Sequence, residues 1–389
     1  MGFVNKLFFL IPLLLPFWAM GQLTLQGQIL NGLDQSPLPF ASVFLANTTK
    51  GTTTDDKGNF TLTNVPPGKF NLVVSYVGFH PLKLTIQTSD PKFYRIGLKV
   101  DEKQLGGVTV KARNRRSADW ATNVEFFKKQ FIGSSEHASQ CRLLNPEVLY
   151  FESTPEKLVA RANEPLVIEN KGLGYRLKFL LDEFSFDHPK QRVVYDGDAV
   201  FDRLTGTPRE TKRWTENRRR AYHGSRMHFM RTLYQRNMLQ EGFTVVRVVE
   251  QDNRDGQQKL VGLRSDILVR NKSLKGKWDE EFQTLHEKSL LDTLRSTPTR
   301  TVVAFDGLMQ VTYTQEREPL NYQKTRPLRD HGYQIQPQTS LIQMLVPSVM
   351  VEPSGHFYDP RGILSKQYWS WEIIAEELPL DYDPRQDIR

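Results

Sequence analysis

A single cysteine, Cys141, stands in a chain of 389 residues. That excludes an internal disulfide framework and a zinc site built on thiolates. No run of 18 apolar residues occurs, so the sequence offers no transmembrane helix. None of the eight histidines opens a His-x-x-Glu or His-Glu-x-x-His arrangement, the spacings that put zinc ligands on one helical face. His286-Glu287 is followed by Lys288-Ser289, and His356-Phe357-Tyr358-Asp359 sits among Pro353, Gly355 and Pro360 and reads as a turn. Nothing in the sequence calls for a metal ion or a cofactor. Internal repeats and low-complexity tracts are also missing. What is present, 39% hydrophobic against 25% charged residues, is enough apolar surface for a packed core. The 22 Pro, 25 Gly and 11% aromatics lean towards strands and turns.

The first residues read as an address. Met1 to Lys6 carry one positive charge, Leu7 to Ala19 are apolar, and Ala19-Met20-Gly21 is a small-x-small site before Gln22. This is the layout of a secretory signal peptide, expected over residues 1–21. Loss of Lys6 with that segment takes the net charge from +8 to +7. The expected location is outside the cytoplasm, in the periplasm or at the cell surface.

Residues 22–110 carry the plainest fold signal. Leu23, Leu25, Gly27 and Ile29 alternate with Thr24, Gln26 and Gln28, the period of a half-buried strand. Further short strands follow at Phe40–Leu45, Phe60–Leu62, Phe70–Tyr76, Leu82–Ile86 and Phe93–Leu98, with turn residues between them. Gly51 to Thr54, the turn Asp55 to Asn59 and Phe60 to Leu62 read as a β-hairpin. Leu25, Val43, Phe60, Leu72, Val74 and Tyr76 are the expected core. The spacing argues a β-sandwich.

The ordered series Gly27, Pro39-Phe40-Ala41-Ser42-Val43, Gly51-Thr52, Thr54-Asp55, Gly58-Asn59-Phe60, Val65-Pro66-Pro67-Gly68 and Val74-Ser75-Tyr76-Val77-Gly78-Phe79 resembles the carboxypeptidase-regulatory-like domain. The resemblance implies a transthyretin-like sandwich of seven strands, of the kind abundant in secreted Bacteroidetes proteins. It is most similar to the version placed ahead of SusC-like TonB-dependent transporters, whose closing segment Gln104 to Val110 resembles. The 279 residues that follow are too few for a transporter barrel of that size. The family's name does not bring peptidase activity with it, because the zinc ligands are missing.

After residue 110 the pattern changes. A polar, basic linker is expected over 111–119, then an α+β domain over 120–389, making the whole chain mainly β. Trp120, Val124, Phe127 and Phe131 recur at helical spacing. Leu158–Ala162, Pro165–Glu169, Tyr175–Phe186, Arg192–Tyr195 and Asp198–Phe201 read as strands of an antiparallel meander, the last two split by Gly197. Glu210–Arg220 and Ser225–Gln240 read as paired helices, Gly224 ending the first and Ser225 capping the second. Strands resume at Phe243–Val249, Thr301–Tyr313 and Leu341–Val351, and Tyr368–Ala375 brings aromatics onto the sheet. Segments such as Asn145-Pro146-Glu147, Arg219 to Ser225 and Leu378 to Tyr382 resemble those of uncharacterised secreted Bacteroidetes proteins with the same two-part layout.

The helical pair is chemically the most unusual stretch. Residues 209–236 hold nine Lys or Arg against Glu210 and Glu216, an excess of +7. Trp214, Tyr222, His223, His228 and Tyr234 are interleaved. Arginine forks recognise phosphate, carboxylate or sulfate, and aromatic faces accept sugars. Arg213, Arg218, Arg219, Arg220 and Arg226 are therefore the candidate anion-binding residues, for an anionic glycan or a lipid headgroup, with a solvated helix face as the plainer alternative. Export argues against nucleic acid as partner, and another envelope protein is the remaining candidate. A second reading is a glycoside or other hydrolase using a carboxylate pair from Asp182, Glu183, Asp187, Asp196 and Asp198. Cys141 has His137 and Arg142 nearby but no third group to order a nucleophile. Asp252 to Gly256 lacks the spacing of a calcium loop and reads as a hairpin turn. With no catalytic motif complete, the expectation is a non-catalytic binding or structural module of the cell envelope.

Overall fold

The computed structural model describes residues 23–90, 92–101, 118–252, 258–262, 287–325 and 336–387. The expected signal peptide, the Gln104–Val110 segment, most of the linker, Asn253–Gly256 and His286 lie outside the described residues.

Seven strands make the first unit: β1 (Leu23–Asn31), β2 (Ser42–Leu45), β3 (Gly51–Thr53), β4 (Asn59–Val65), β5 (Lys69–Ser75), β6 (Leu82–Gln87) and β7 (Phe93–Leu98). They form a sandwich of two sheets, β4-β1-β7 against β3-β2-β5-β6. The alternation in β1 turns Leu25, Gly27 and Ile29 inward. Gly27 has no room for a side chain, because a Cβ there would lie 2.2 Å from the Tyr94 carbonyl and 2.5 Å from the Phe60 ring. Leu25, Val43, Phe60, Leu72 and Val74 are buried as expected, and Tyr76 packs at the edge of the core.

The expected hairpin is corrected. β3 pairs with β2 and β4 pairs with β1, so the chain changes sheets between them. The Asp55 carboxylate accepts the N–H groups of Lys57 and Asn59 at 2.9 and 2.7 Å. Ile29 N–H donates to Gly58 carbonyl at 2.7 Å. The turn is thereby fixed to β1 rather than folded back onto β3.

Helix α1 (Ala118–Phe131) opens the second part and lies on a sheet of β8 (Cys141–Leu143), β9 (Leu149–Ser153), β10 (Lys157–Ala162), β11 (Leu166–Asn170), β12 (Tyr175–Asp187) and β13 (Arg192–Arg203). Its apolar stripe does the packing: Phe127 meets Phe184 at 4.6 Å and Phe131 meets Phe179 at 5.0 Å. β13 runs unbroken through Gly197, correcting the expected split. A register shift between Leu181 and Glu183 absorbs the irregularity.

Helices α2 (Pro208–Tyr222) and α3 (Arg226–Gln235) follow. Thr207 and Glu210 close a capping box on α2, and the Ser225 hydroxyl accepts His228 N–H at 3.1 Å. α3 ends five residues before the expected Gln240 because Arg236 adopts a left-handed conformation. A further sheet is built from β14 (Phe243–Asp252), β15 (Gln258–Gly262), β17 (Leu308–Arg317), β18 (Pro337–Met344) and β21 (Ile363–Gln367). A small one joins β16 (Thr301–Val303), β19 (Val349–Val351) and β20 (Phe357–Tyr358). Thr301–Tyr313 and Leu341–Val351 are thus two strands each, not one. β14 and β15 pair from Asp252 and Gln258 inward. The aromatics after Gln367 form one helical turn, with Trp369 Nε1 donating to the Gly224 carbonyl at 2.7 Å.

This second part holds two hydrophobic cores. One lies under α1 and takes Ala221 and Tyr222 of α2; the other takes Phe229, Met230 and Leu233 of α3. The helical pair therefore joins them.

The sandwich is docked on the edge strand β13. Asn47 N–H donates to Ala199 carbonyl at 2.6 Å, Ala199 N–H donates to Asn47 Oδ1 at 2.9 Å, and Phe201 N–H donates to Thr48 carbonyl at 2.9 Å. Leu380 N–H donates to Asn47 carbonyl at 2.6 Å. Phe44, Ala46, Val73 and Val200 bury one another across the seam. The β2–β3 loop thus occupies hydrogen-bonding groups that an open sheet edge would otherwise present.

Candidate functional site

The inner face of α2 is committed to the fold. Trp214 Nε1, Asn217 Nδ2 and Arg218 Nη1 donate in turn to the carbonyls of Lys171, Gly172 and Leu173 at 2.8, 2.8 and 2.9 Å. The turn after β11 would otherwise leave these carbonyls unpaired. Arg218 also donates to Asp387 through Nε and Nη2 at 2.6 and 2.9 Å, and both side chains are buried. Arg218 is therefore an internal tie and leaves the anion-binding set.

Arg231 does the same for α3. Its guanidinium donates to the carbonyls of Ser354, Tyr382 and Leu380 at 2.9, 2.9 and 3.0 Å, with the Tyr222 ring 5.3 Å away. Arg220 is exposed but holds the Glu136 carboxylate at 2.8 Å. Arg226, at the first turn of α3, lies 5.5 Å over the Phe357 ring and apart from the others.

The outer face of α2 is different. Arg209, Lys212, Arg213, Glu216, Arg219 and Arg220 follow at helical spacing and are all exposed. The side chains of Arg209, Lys212, Arg213 and Arg219 have no hydrogen bond or ion pair with another described residue. Of the five arginines expected in the site, Arg213 and Arg219 lie on this row with Arg220 beside them, while Arg218 and Arg226 lie elsewhere. Arg209 and Lys212 complete the row.

The acidic strand residues are engaged by cations and backbone. Lys83 of the sandwich reaches both Asp182 and Asp198. Arg361 holds Glu183 and Asp196 at 3.0 and 2.9 Å. Asp187 accepts Lys190 N–H at 2.9 Å. Burial works against the charge on Lys83, and the hydrogen bonds it donates to Asp182 and Asp198, with their negative charges, outweigh it to hold its pKa above the usual range. Burial likewise lifts Asp198 despite Lys83. Asp182 and Asp198 thus tie the sandwich to the second part through Lys83.

The remaining candidates are structural too. Burial, with Glu376 adding to it, pushes the Cys141 thiol up to about 12, far from a thiolate nucleophile. His137 is tied to Glu376 through Nδ1 at 2.6 Å and its own N–H at 2.9 Å. His356 stacks edge-on to Tyr358 at 5.1 Å. Among the described residues no three His, Cys, Asp or Glu converge as a metal site, and no helix is long and apolar enough to cross a membrane.

The sequence reading missed the partners of the basic helices. Asp387, which pairs with Arg218, lies in the acidic stretch after Glu372, and Glu136, which pairs with Arg220, lies just after α1. An acidic stretch beside a basic one was the available signal; Arg218–Asp387 is its realisation.

Residues 25–110 match the family model of the CarboxypepD_reg-like domain, and the seven-stranded sandwich occupies that segment. A search of the curated proteins finds no relative of the chain. Among solved structures, a C-terminal interface mutant of a type II cohesin–X–dockerin complex from Acetivibrio cellulolyticus is 16% identical. It covers 29% of this chain and 75% of its own, with a TM-score of 0.20. The corresponding N-terminal interface mutant is 18% identical over the same shares, with a TM-score of 0.19. A 9R-lipoxygenase from Cyanothece is 11% identical, covering 55% of this chain and 48% of its own at a TM-score of 0.14. Likeness of this degree assigns neither activity nor partner.

Proposed function

We propose that the chain is an exported, non-catalytic binding module of the cell envelope, and that the outer face of α2 is the surface it offers to an anionic partner. The carboxypeptidase-regulatory-like domain supports a binding or structural role. The observation that carries the reading is the row Arg209, Lys212, Arg213 and Arg219, exposed and with no side-chain hydrogen bond or ion pair to another described residue, Glu210 being the one carboxylate of the helix that feels Arg213. The other face of the same helix is held by Trp214, Asn217 and Arg218. A helix fixed on its inner face thus presents an excess of cations to solvent. The shared chemistry is a run of carboxylate, phosphate or sulfate groups, met in acidic glycans and in lipid headgroups.

Retention of the full chain on immobilised polyuronate and on phosphatidylglycerol vesicles tests this and separates the two sources. Retention on either, lost when Arg209, Lys212, Arg213 and Arg219 are all replaced by Ser, supports the proposal. Equal behaviour of the folded variant and the original chain contradicts it.

A further inference from the structure

The cations of α2 are unevenly placed along their row. Arg209, Lys212 and Arg213 stand at i, i+3 and i+4 in its first turns, where side chains on a helix surface are neighbours about 5–6 Å apart. Arg219 stands in the last turn, and Arg220 beside it is already held by Glu136 at 2.8 Å. Glu216 separates the two groups. It is exposed on the same stripe, within one turn of Lys212 and Arg213 on one side and of Arg219 and Arg220 on the other. The row thus has two cationic ends with an anion between them. Lys212 and Arg219 are two helical turns apart, about 10 Å along the axis. That equals the Debye length at about 0.1 M salt, so a small anion seated on one end leaves the other unneutralised.

The fold fixes this spacing. The Thr207–Glu210 capping box sets the start of the helix. Between the two ends, Trp214, Asn217 and Arg218 hold three successive carbonyls of the turn after β11. A ligand whose charges match a preset spacing loses little to ordering the protein. The stripe 209, 212, 213, 216, 219 and 220 carries no apolar side chain, because Trp214, Ala221 and Tyr222 are turned inward and buried. A helix that anchors to lipid needs an apolar face free to enter the acyl boundary. A flat anionic surface would also press on Glu216 together with the cations, whereas a chain can touch down on either side of it. Nor does this helix face offer an acidic peptide a strand edge or an apolar groove, the features that hold peptides.

Resting on the reading of α2 as the binding surface, we propose that its ligand is a linear, carboxylate-bearing glycan lying along the helix. It is gripped at Arg209, Lys212 and Arg213 and again at Arg219, across Glu216. Guanidinium forks match carboxylates in two-pronged pairs. One acidic sugar can hold only one end of the row. Joining two such contacts in one chain makes the second intramolecular and multiplies the affinity.

Isothermal titration of the full chain at low ionic strength with the monomer, dimer, tetramer and hexamer of galacturonic acid tests the assignment. Affinity is expected to climb steeply once the chain spans both ends, the hexamer binding at least about a hundredfold tighter than the monomer. Arg219→Ser should cut that advantage at least about tenfold with an unchanged melting temperature. Should it fail to fold, Arg219→Gln takes its place. Glu216→Gln should tighten the hexamer several-fold by removing the central repulsion. Failure of every oligomer to bind overturns this proposal and the reading of the surface on glycan together. Four results overturn the two-point grip alone and leave α2 as an anion-binding surface. They are a hexamer gain no larger than its number of sugar units, a folded Arg219 variant that keeps the full gain, a Glu216→Gln variant with unchanged hexamer affinity, and phosphatidylglycerol vesicles or polyglutamate binding as tightly as the hexamer.

Discussion

Arg218 and Asp387 form a buried two-pronged ion pair, Nε to Oδ2 at 2.6 Å and Nη2 to Oδ1 at 2.9 Å, 169 residues apart in sequence. It fastens the end of the described chain to the helix that carries the cationic row. Removing one partner leaves the other charge buried and uncompensated. Arg218→Met should therefore cost about 3–5 kcal/mol in urea unfolding, whereas Arg219→Met, on the exposed face, should change stability by less than about 0.5 kcal/mol. Equal stability of the two variants would show that Arg218 is no tie.

The seam between sandwich and β13 rests on Asn47, which holds a left-handed conformation (φ 58°) while its side chain accepts Ala199 N–H. Asn47→Ala should lose about 1–3 kcal/mol from the orphaned Ala199 N–H and the strained backbone. Hydrogen exchange should then quicken at Ala199 and Phe201 more than in β1. A fragment of residues 22–110 should still fold, with a lower melting temperature than in the full chain, because Phe44, Ala46 and Val73 lose their cover. Circular dichroism of that fragment checks it; an unstructured chain would refute the sandwich as an independent unit.

Acid should destabilise the protein through His228. Burial first, then His223 and Arg231, push its pKa down to about 3. The unfolded chain takes up the proton near the ordinary value, so the stability of neutral His228 is complete above about pH 6.5 and drains away as pH falls towards 3. His356 acts with the same sign, while Glu377, raised to about 7, acts with the opposite one between about pH 7 and pH 4.5. His228→Gln should flatten the acid limb of the unfolding free energy against pH, measured by urea unfolding, by several kcal/mol at about pH 4. An acid limb identical to that of the original chain would assign the sensitivity elsewhere.

Cys141 should be slow to alkylate. With its thiol pushed up to about 12, almost no thiolate exists near neutral pH. Iodoacetamide labelling followed by mass spectrometry should show native protein lagging urea-unfolded protein by at least about tenfold. Fast labelling of the native chain would reopen the question of a reactive cysteine.

The sandwich was largely legible because its signals are local. Period-two alternation in Leu25–Ile29 and the turn residues Asp55–Gly58 each act within a few positions of themselves. The hairpin error has the same origin: a tight turn between two strands looks identical whether the second strand pairs with its neighbour or crosses to the other sheet. Helices α2 and α3 were read from stripes and caps, and their cations from composition. What composition cannot show is which cations point inward. Arg218 and Arg219 are adjacent in sequence, yet one turns into the fold and the other to solvent.

Binding to polyuronate measured against salt tests the central claim most directly. For the full chain the account predicts measurable affinity at low ionic strength that falls steeply as added salt screens exposed charges beyond about 8–10 Å. The variant with Ser at positions 209, 212, 213 and 219 should bind weakly and with a much shallower salt dependence while melting as the original chain does. Two results would contradict the account: no binding by the full chain at low salt, or an unchanged salt dependence in the folded variant.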